Sequence, residues 1–189
     1  AGCLGIDRFG EIVLQAFREA GVDTQWLRLL EDQSTGISVA LVRKDGERSF
    51  VTYQGTNARI TLEEIKTCLD APTPPRWLHL GGYHLLDQLR GPPAMKLFED
   101  ARKRGIATSL DTGWDPQGWS TTTVKALRAP PRFVDVFLPN AVELRAITGE
   151  SSPRRGAERL VRSGASTVVV KLSAKGSLVV TRRDQRRVP

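Results

Sequence analysis

From Trp77 onward the chain alternates short strand-like runs with segments of helical periodicity, and no other feature restricts the fold as much. Trp77 to Leu80, Ile106 to Leu110, Phe133 to Leu138 and Thr167 to Lys171 are rich in apolar and β-branched residues. Between them, Pro93 to Arg104, Thr121 to Leu127, Ala141 to Ile147 and Pro153 to Ser163 carry apolar residues at the spacing of a helix face. Strands buried on both sides read as such runs in parallel sheets, where crossover helices cover both faces. Gly176 to Thr181 adds one more strand. The expected fold class is α/β, a three-layer α/β/α body around a mostly parallel sheet.

The earlier part reads differently. Ala1 to Ile6 is short and glycine-rich, the end of something that began before it. Phe9, Ile12, Val13, Ala16, Phe17 and Ala20 recur at helical spacing, with Asp7 as cap and Gly21 as a left-handed stop. A connecting segment follows. Thr35 to Val42 and Arg48 to Tyr53 then flank Lys44-Asp45-Gly46, an Asp-Gly hairpin signal. Their loose alternation leaves neither face clearly apolar, so the hairpin is expected to project as a lid, about residues 34–58, from a single domain spanning 1–189. Thr61-Leu62-Glu63-Glu64 is a capping box that opens a helix to about Leu69.

Composition excludes some classes. With 189 residues, 40% apolar and 26% charged, the chain supports one sizeable core. Cys3 and Cys68 offer neither a disulfide framework nor a metal-site spacing, so a cytoplasmic setting is the expectation. No apolar run reaches the roughly 18 residues of a membrane helix, and no basic-then-apolar leader opens the sequence. The net charge of +7 lies entirely in residues 150–189, where ten Lys or Arg face three acids. The run Arg182-Arg183-Asp184-Gln185-Arg186-Arg187 reads as a solvated face; few aromatics accompany it, so no base-stacking platform for nucleic acid is implied.

The stretch Leu138-Pro139-Asn140-Ala141-Val142-Glu143 carries two readings. Asn at the cap with Glu three residues on resembles a reciprocal capping box. The same pair stands where a strand gives way to a helix, the edge at which ligands bind in open parallel sheets. There an amide and a carboxylate suit a phosphate-bound magnesium ion and its water shell.

In order along the chain, several stretches resemble the ribokinase-like pfkB carbohydrate kinases. Gly2, Gly5, Asp7, Phe9 and Gly10, followed by Gly21-Val22-Asp23, look like the family's G-x-x-G-x-D-x-F-G segment and its G-V-D-T turn. Thr35-Gly36-Ile37, Gly46-Glu47-Arg48 and Gly55-Thr56-Asn57 look like its lid hairpin. His79-Leu80-Gly81-Gly82-Tyr83 stands where the family has an apolar strand ending in S-G-Y. Asp111, Trp114-Asp115-Pro116 and Trp119 resemble the D-x-N-x-R-x-x-x-W region, although Gly113 replaces the Asn. Leu138 to Glu143 matches P-N-x-x-E, and Val169 to Gly176 resembles V-K-L-G-x-x-G with Ser173 in place of the first glycine.

The resemblance implies an ATP-dependent kinase acting on a sugar or sugar-acid hydroxyl. It assigns Gly36, Gly55, Asn57, Gly82, Tyr83 and Asp111 to the sugar, with Asp111 favoured by its strand end. Asn140, Lys171, Ser173 and Gly176 fall to the nucleotide, and Glu143 with Asn140 to Mg2+. Each has a plainer role available: Asp111 caps the turn at Thr112-Gly113, Lys171 is a polar strand end, Gly176 a turn residue. His79 and His84 are read as structural, and Trp114 and Trp119 as core or loop braces. The family's base lies in a D-T-x-G-A-G-D motif that these residues do not contain. The resemblance therefore implies an incomplete domain, inactive on its own. The expected partners are the sugar, ATP and a second copy meeting through the lid; neither membrane nor nucleic acid is expected. A non-catalytic binding module and a nucleoside kinase of the same superfamily remain as alternatives.

Overall fold

A computed structural model describes residues 1–128 and 133–189, without the side chain of Arg128. The chain divides into two compact units.

The first unit holds residues 1–68 and 85–88. Its strand β1 (Gly2–Gly5) runs parallel to β2 (Leu27–Leu30), joined by helix α1 (Arg8–Glu19). Asp7 caps α1 by accepting a 2.8 Å hydrogen bond from Gly10 N, and Gly21 takes a left-handed φ of +70° just past the helix. The sequence reading assigned a strand to neither stretch. Neither carries the β-branched residues that mark a strand, and their pairing rather than propensity forms them. The periodic face of α1 is also not buried: Phe9 and Ile12 are more than half exposed.

Strands β3 (Ile37–Val42) and β4 (Arg48–Tyr53) form the expected antiparallel hairpin, turning at Gly46 with φ +84°. Every residue of β4 is exposed, as are all but Ile37 of β3, in keeping with the loose alternation. Helix α2 (Leu62–Leu69) starts at the predicted box, where Thr61 N donates to Glu64 Oε2 over 2.8 Å.

The second unit holds residues 69–84 and 89–189. Its sheet is six-stranded, in the order β10 (Gln185–Val188), β9 (Ser177–Thr181), β8 (Thr167–Lys171), β7 (Val136–Phe137), β6 (Ala107–Leu110), β5 (Trp77–Leu80). The four strands β5 to β8 run parallel, and β9 and β10 are each antiparallel to their neighbours. Helix α3 (Pro92–Lys103) packs on β6, and α5 (Ala141–Thr148) and α6 (Pro153–Arg162) pack on β8; α4 (Thr121–Arg128) lies against α5. Leu97, Phe98, Leu110, Phe137, Leu144, Ile147, Val168 and Val170 are fully buried. At ~25 cal/mol per Å² of apolar surface, such side chains contribute about 1.5–3 kcal/mol each. The sequence reading likewise assigned no strand at β10. The Arg-rich end folds back as a hairpin strand, because Thr181 Oγ1 accepts from Asp184 N and ties the turn.

Candidate functional site

Parallel strands β5 to β8 deliver their C-terminal ends to one edge, and the predicted residues of the second unit gather there. Gly82 follows β5 with φ +63°. Asp111 follows β6, and its Oδ1 accepts from Gly113 N (3.2 Å), the expected turn. Its other oxygen, Oδ2, meets Lys171 Nζ at 2.5 Å. Lys171 in turn forms a parallel bridge with Asn140. Asp111, Asn140 and Lys171 thus form one contact chain across β6 to β8. Tyr83 turns away from it: the ring is buried and the hydroxyl accepts from Gly91 N (2.7 Å).

Both readings of Asn140 and Glu143 begin from a box that is present. Asn140 Oδ1 accepts from Val142 N and Glu143 N, each 2.9 Å. Glu143 Oε2 accepts from Asn140 N (2.9 Å), and Oε1 from Asn140 Nδ2 (2.6 Å). The Glu143 side chain is buried. Burial pushes its carboxyl above the usual range, against the pull of the Asn140 N–H and the Lys171 ammonium. Magnesium asks for an octahedral shell of oxygens. Both oxygens of Glu143 already accept from Asn140, and no group of three or more His, Cys, Asp or Glu side chains among the described residues is placed to hold a metal. The described residues therefore form no all-protein shell for magnesium.

Beside the box opens a cleft of about 650 Å³, lined by Asn140, Ala141, Val142, Pro153, Lys171, Leu172, Ser173, Lys175, Leu178 and Arg187. Its floor is the turn after β8, in which Ser173 sits in the left-handed region at φ +54°. A non-glycine residue there costs roughly 1–2 kcal/mol, so the turn is held by its surroundings. Gly176, at φ +76°, shows how: any Cβ would collide with the carbonyl oxygen of Val188 on β10. Lys175 and Arg187 were missed as site residues. Arg187 reaches the cleft only because β10 folds back, and a run of arginines gives no sign of that.

In the first unit the predicted residues also cluster. Gly36 lies under the side-chain amide of Asn57, and a Cβ there would crowd both that amide and the carbonyl of Gln54, 2.5 Å away. Gly55, at φ +52°, is held between Ser34 and Gly36.

A buried aromatic group backs the loop after Asp111. His84 packs edge-on between Tyr83 and Trp119, with ring centroids 5.3 Å from each, and its Nδ1 is 3.8 Å from Asp115 Oδ1. The Asp115 oxygens accept from Gln117 N and Trp119 N, and Trp119 holds φ +59°. Burial lowers the His84 pKa below 6.5, with Asp115 pulling the other way. The unfolded chain therefore binds a proton that the fold refuses. Stability is full above the unfolded value and declines as pH falls through 6.5. Urea midpoints should drop between about pH 7.5 and about pH 5.5, and the drop should shrink in His84→Gln. An unchanged slope in that variant would remove His84 as the cause.

Three comparisons bear on this geometry. The model of the family described as pfkB family carbohydrate kinase matches residues 1–189. The chain is 26% identical to 2-dehydro-3-deoxygluconokinase of Bacillus subtilis, over 94% of this chain and 56% of that protein. It is 24% identical to aminoimidazole riboside kinase of Salmonella typhimurium, over 100% of this chain and 59% of that one. It therefore spans less than three fifths of the length of these relatives. A crystal structure of a PfkB protein from Polaromonas sp. superposes with a TM-score of 0.80 at 26% identity, covering 100% of this chain and 65% of the other.

Proposed function

The chain belongs to the pfkB family of carbohydrate kinases, and we propose that it forms the greater part of an ATP-dependent kinase for a sugar or sugar-acid hydroxyl. The single observation that carries this reading is the cleft beside Asn140: cations from β8, its turn and β10 surround the N-terminus of α5. Phosphoryl transfer asks a protein mainly to position reactants and neutralise charge, and helix N-termini favour anions. In this reading the nucleotide phosphates lie over Asn140, Lys171, Ser173 and Gly176. Asn140 and Glu143 would face a phosphate-bound Mg2+, which would neutralise phosphate charge when bound. Asp111, fixed by Lys171 and by its own turn, meets the acceptor together with Gly82; Tyr83 supports that loop from beneath. Gly36, Gly55 and Asn57 belong to the acceptor side through the lid.

The riboside kinase among the relatives supports a second acceptor class, a nucleoside. Two smaller proposals accompany the main one. Val39, Leu41, Phe50 and Val51 on the hairpin are all more than half exposed, which supports a homodimer through the lid. A cytoplasmic setting is in keeping with Cys3 and Cys68, which are both free. No helix among the described residues is long and apolar enough to cross a membrane.

The family's base motif does not occur in these residues, so the 189 residues alone should not turn over. Incubation with ATP, Mg2+ and a panel of 2-dehydro-3-deoxygluconate, pentoses, hexoses and aminoimidazole riboside tests this. ADP release above background from this stretch alone would refute its dependence on the missing motif. A protein extended to include such a motif should phosphorylate one class of the panel, and failure on every acceptor would refute the kinase reading.

A further inference from the structure

Two arginines sit side by side on β10, and the sheet register treats them differently. Arg187 stands opposite Leu178 and Arg186 opposite Val179. Side chains alternate between the faces of a strand, so the two guanidinium groups leave by opposite faces. Only the Arg187–Leu178 row lines the cleft beside Asn140. The end of β10 is held there by Gly176, whose bare Cα lets the main chain of Val188 and Pro189 come into contact.

The cations of the cleft also differ in availability. Lys171 is committed to Asp111 at 2.5 Å. The side chains of Lys175 and Arg187 make no ion pair or hydrogen bond among the described residues and stand exposed around the opening. Among the described residues, no acidic side chain lines the cleft. Two unpaired cations facing a helix N-terminus across an acid-free cleft suit a multiply charged anion, and a guanidinium binds phosphate oxygens as a two-pronged donor.

We propose that Arg187, with Lys175 beside it, holds the phosphate tail of the bound nucleotide and makes the cleft selective for polyphosphates. The assignment rests on the nucleotide reading above and adds to it a specificity residue outside every stretch that signalled the site. Lys171 also pairs with Asp111, so the charge left for phosphate alone comes from Lys175 in the turn after β8 and Arg187 on the folded-back strand.

Calorimetric titration of the 189-residue protein with tripolyphosphate, ADP and adenosine tests it. Arg187→Ala should weaken tripolyphosphate and ADP by about tenfold to a hundredfold, the scale of a charge-assisted hydrogen-bonded contact. Adenosine binding should not change, and the fall of affinity with added salt should become shallower. Arg187→Lys should retain part of the affinity. Arg186→Ala removes the same charge from the neighbouring residue on the other face and should change affinity less than about twofold. Equal losses in the two alanine variants would reduce the effect to general surface charge and overturn the assignment, as would undiminished binding in Arg187→Ala. If the unaltered protein binds neither tripolyphosphate nor ADP, the nucleotide reading itself fails and the assignment with it.

Discussion

Gly55→Ala is expected to destabilise the unit built from residues 1–68 by about 2–4 kcal/mol, the sum of a left-handed backbone penalty and a steric one. The φ of +52° suits glycine. A Cβ would lie 2.7 Å from Gly36 N and 2.9 Å from the carbonyl carbon of Thr35, and closer still to Ser34 O. All three are main-chain atoms, so no side chain can swing aside to relieve the contact. Gly46→Ala separates the two causes. Its φ is +84°, but the space around it is open, so it should cost only about 1 kcal/mol. Hydrogen exchange of amides in β1 and β2, tied to this segment by the 2.8 Å bond from Thr56 Oγ1 to Cys3 O, reports the loss. Equal effects of the two variants would show that close packing at Gly55 contributes nothing. Sugar contact is therefore not needed to account for this glycine, and its assignment to the acceptor rests on the family alone.

Asn140→Ala should cost the other unit a comparable amount, about 2–4 kcal/mol. Losing an N-cap costs about 1 kcal/mol, and leaving a buried carboxylate short of a donor adds about 1–3 kcal/mol. Asn140→Ser keeps an oxygen for the N–H groups of Val142 and Glu143 but loses the 2.6 Å bond from Nδ2 to Glu143. It should fall between. The sign of the pH effect follows from Glu143, whose folded pKa is already raised above 4.5 by burial. Removing a donor to the carboxylate raises it further. A raised folded pKa stabilises at low pH and loses that stability as pH rises through 4.5. The alanine variant should therefore be penalised more near pH 7 than near pH 4 in urea titrations. A penalty independent of pH would mean that the cap, not the carboxylate, carries the cost.

Much of the second unit was legible because its signals are local. Pro139, Asn140 and Glu143 announce a helix start, Gly149 its left-handed end at φ +78°, and the run Thr167 to Lys171 a buried strand. Features that depend on partners distant in sequence were not legible. Strands β1 and β2 lack strand-forming residues and exist through their pairing. The ion pair of Asp111 with Lys171 spans 60 positions. Periodicity on α1 correctly gave a helix, and exposed Phe9 shows that an apolar stripe does not say what covers it. The basic run before Pro189 is solvent-exposed, as read, but charge counts do not show the turn at Thr181 that folds it back as a strand.

Parity settles where that run arrives. Strand β9 reverses direction against β8, and β10 reverses again against β9, so β10 heads the same way as the parallel strands. The aligned row Lys171, Ser177, Val188 records the outcome. With one reversal the polypeptide would face the opposite edge of the sheet; with two, it comes back to the mouth of the cleft, its arginine carried home by an even number of turns.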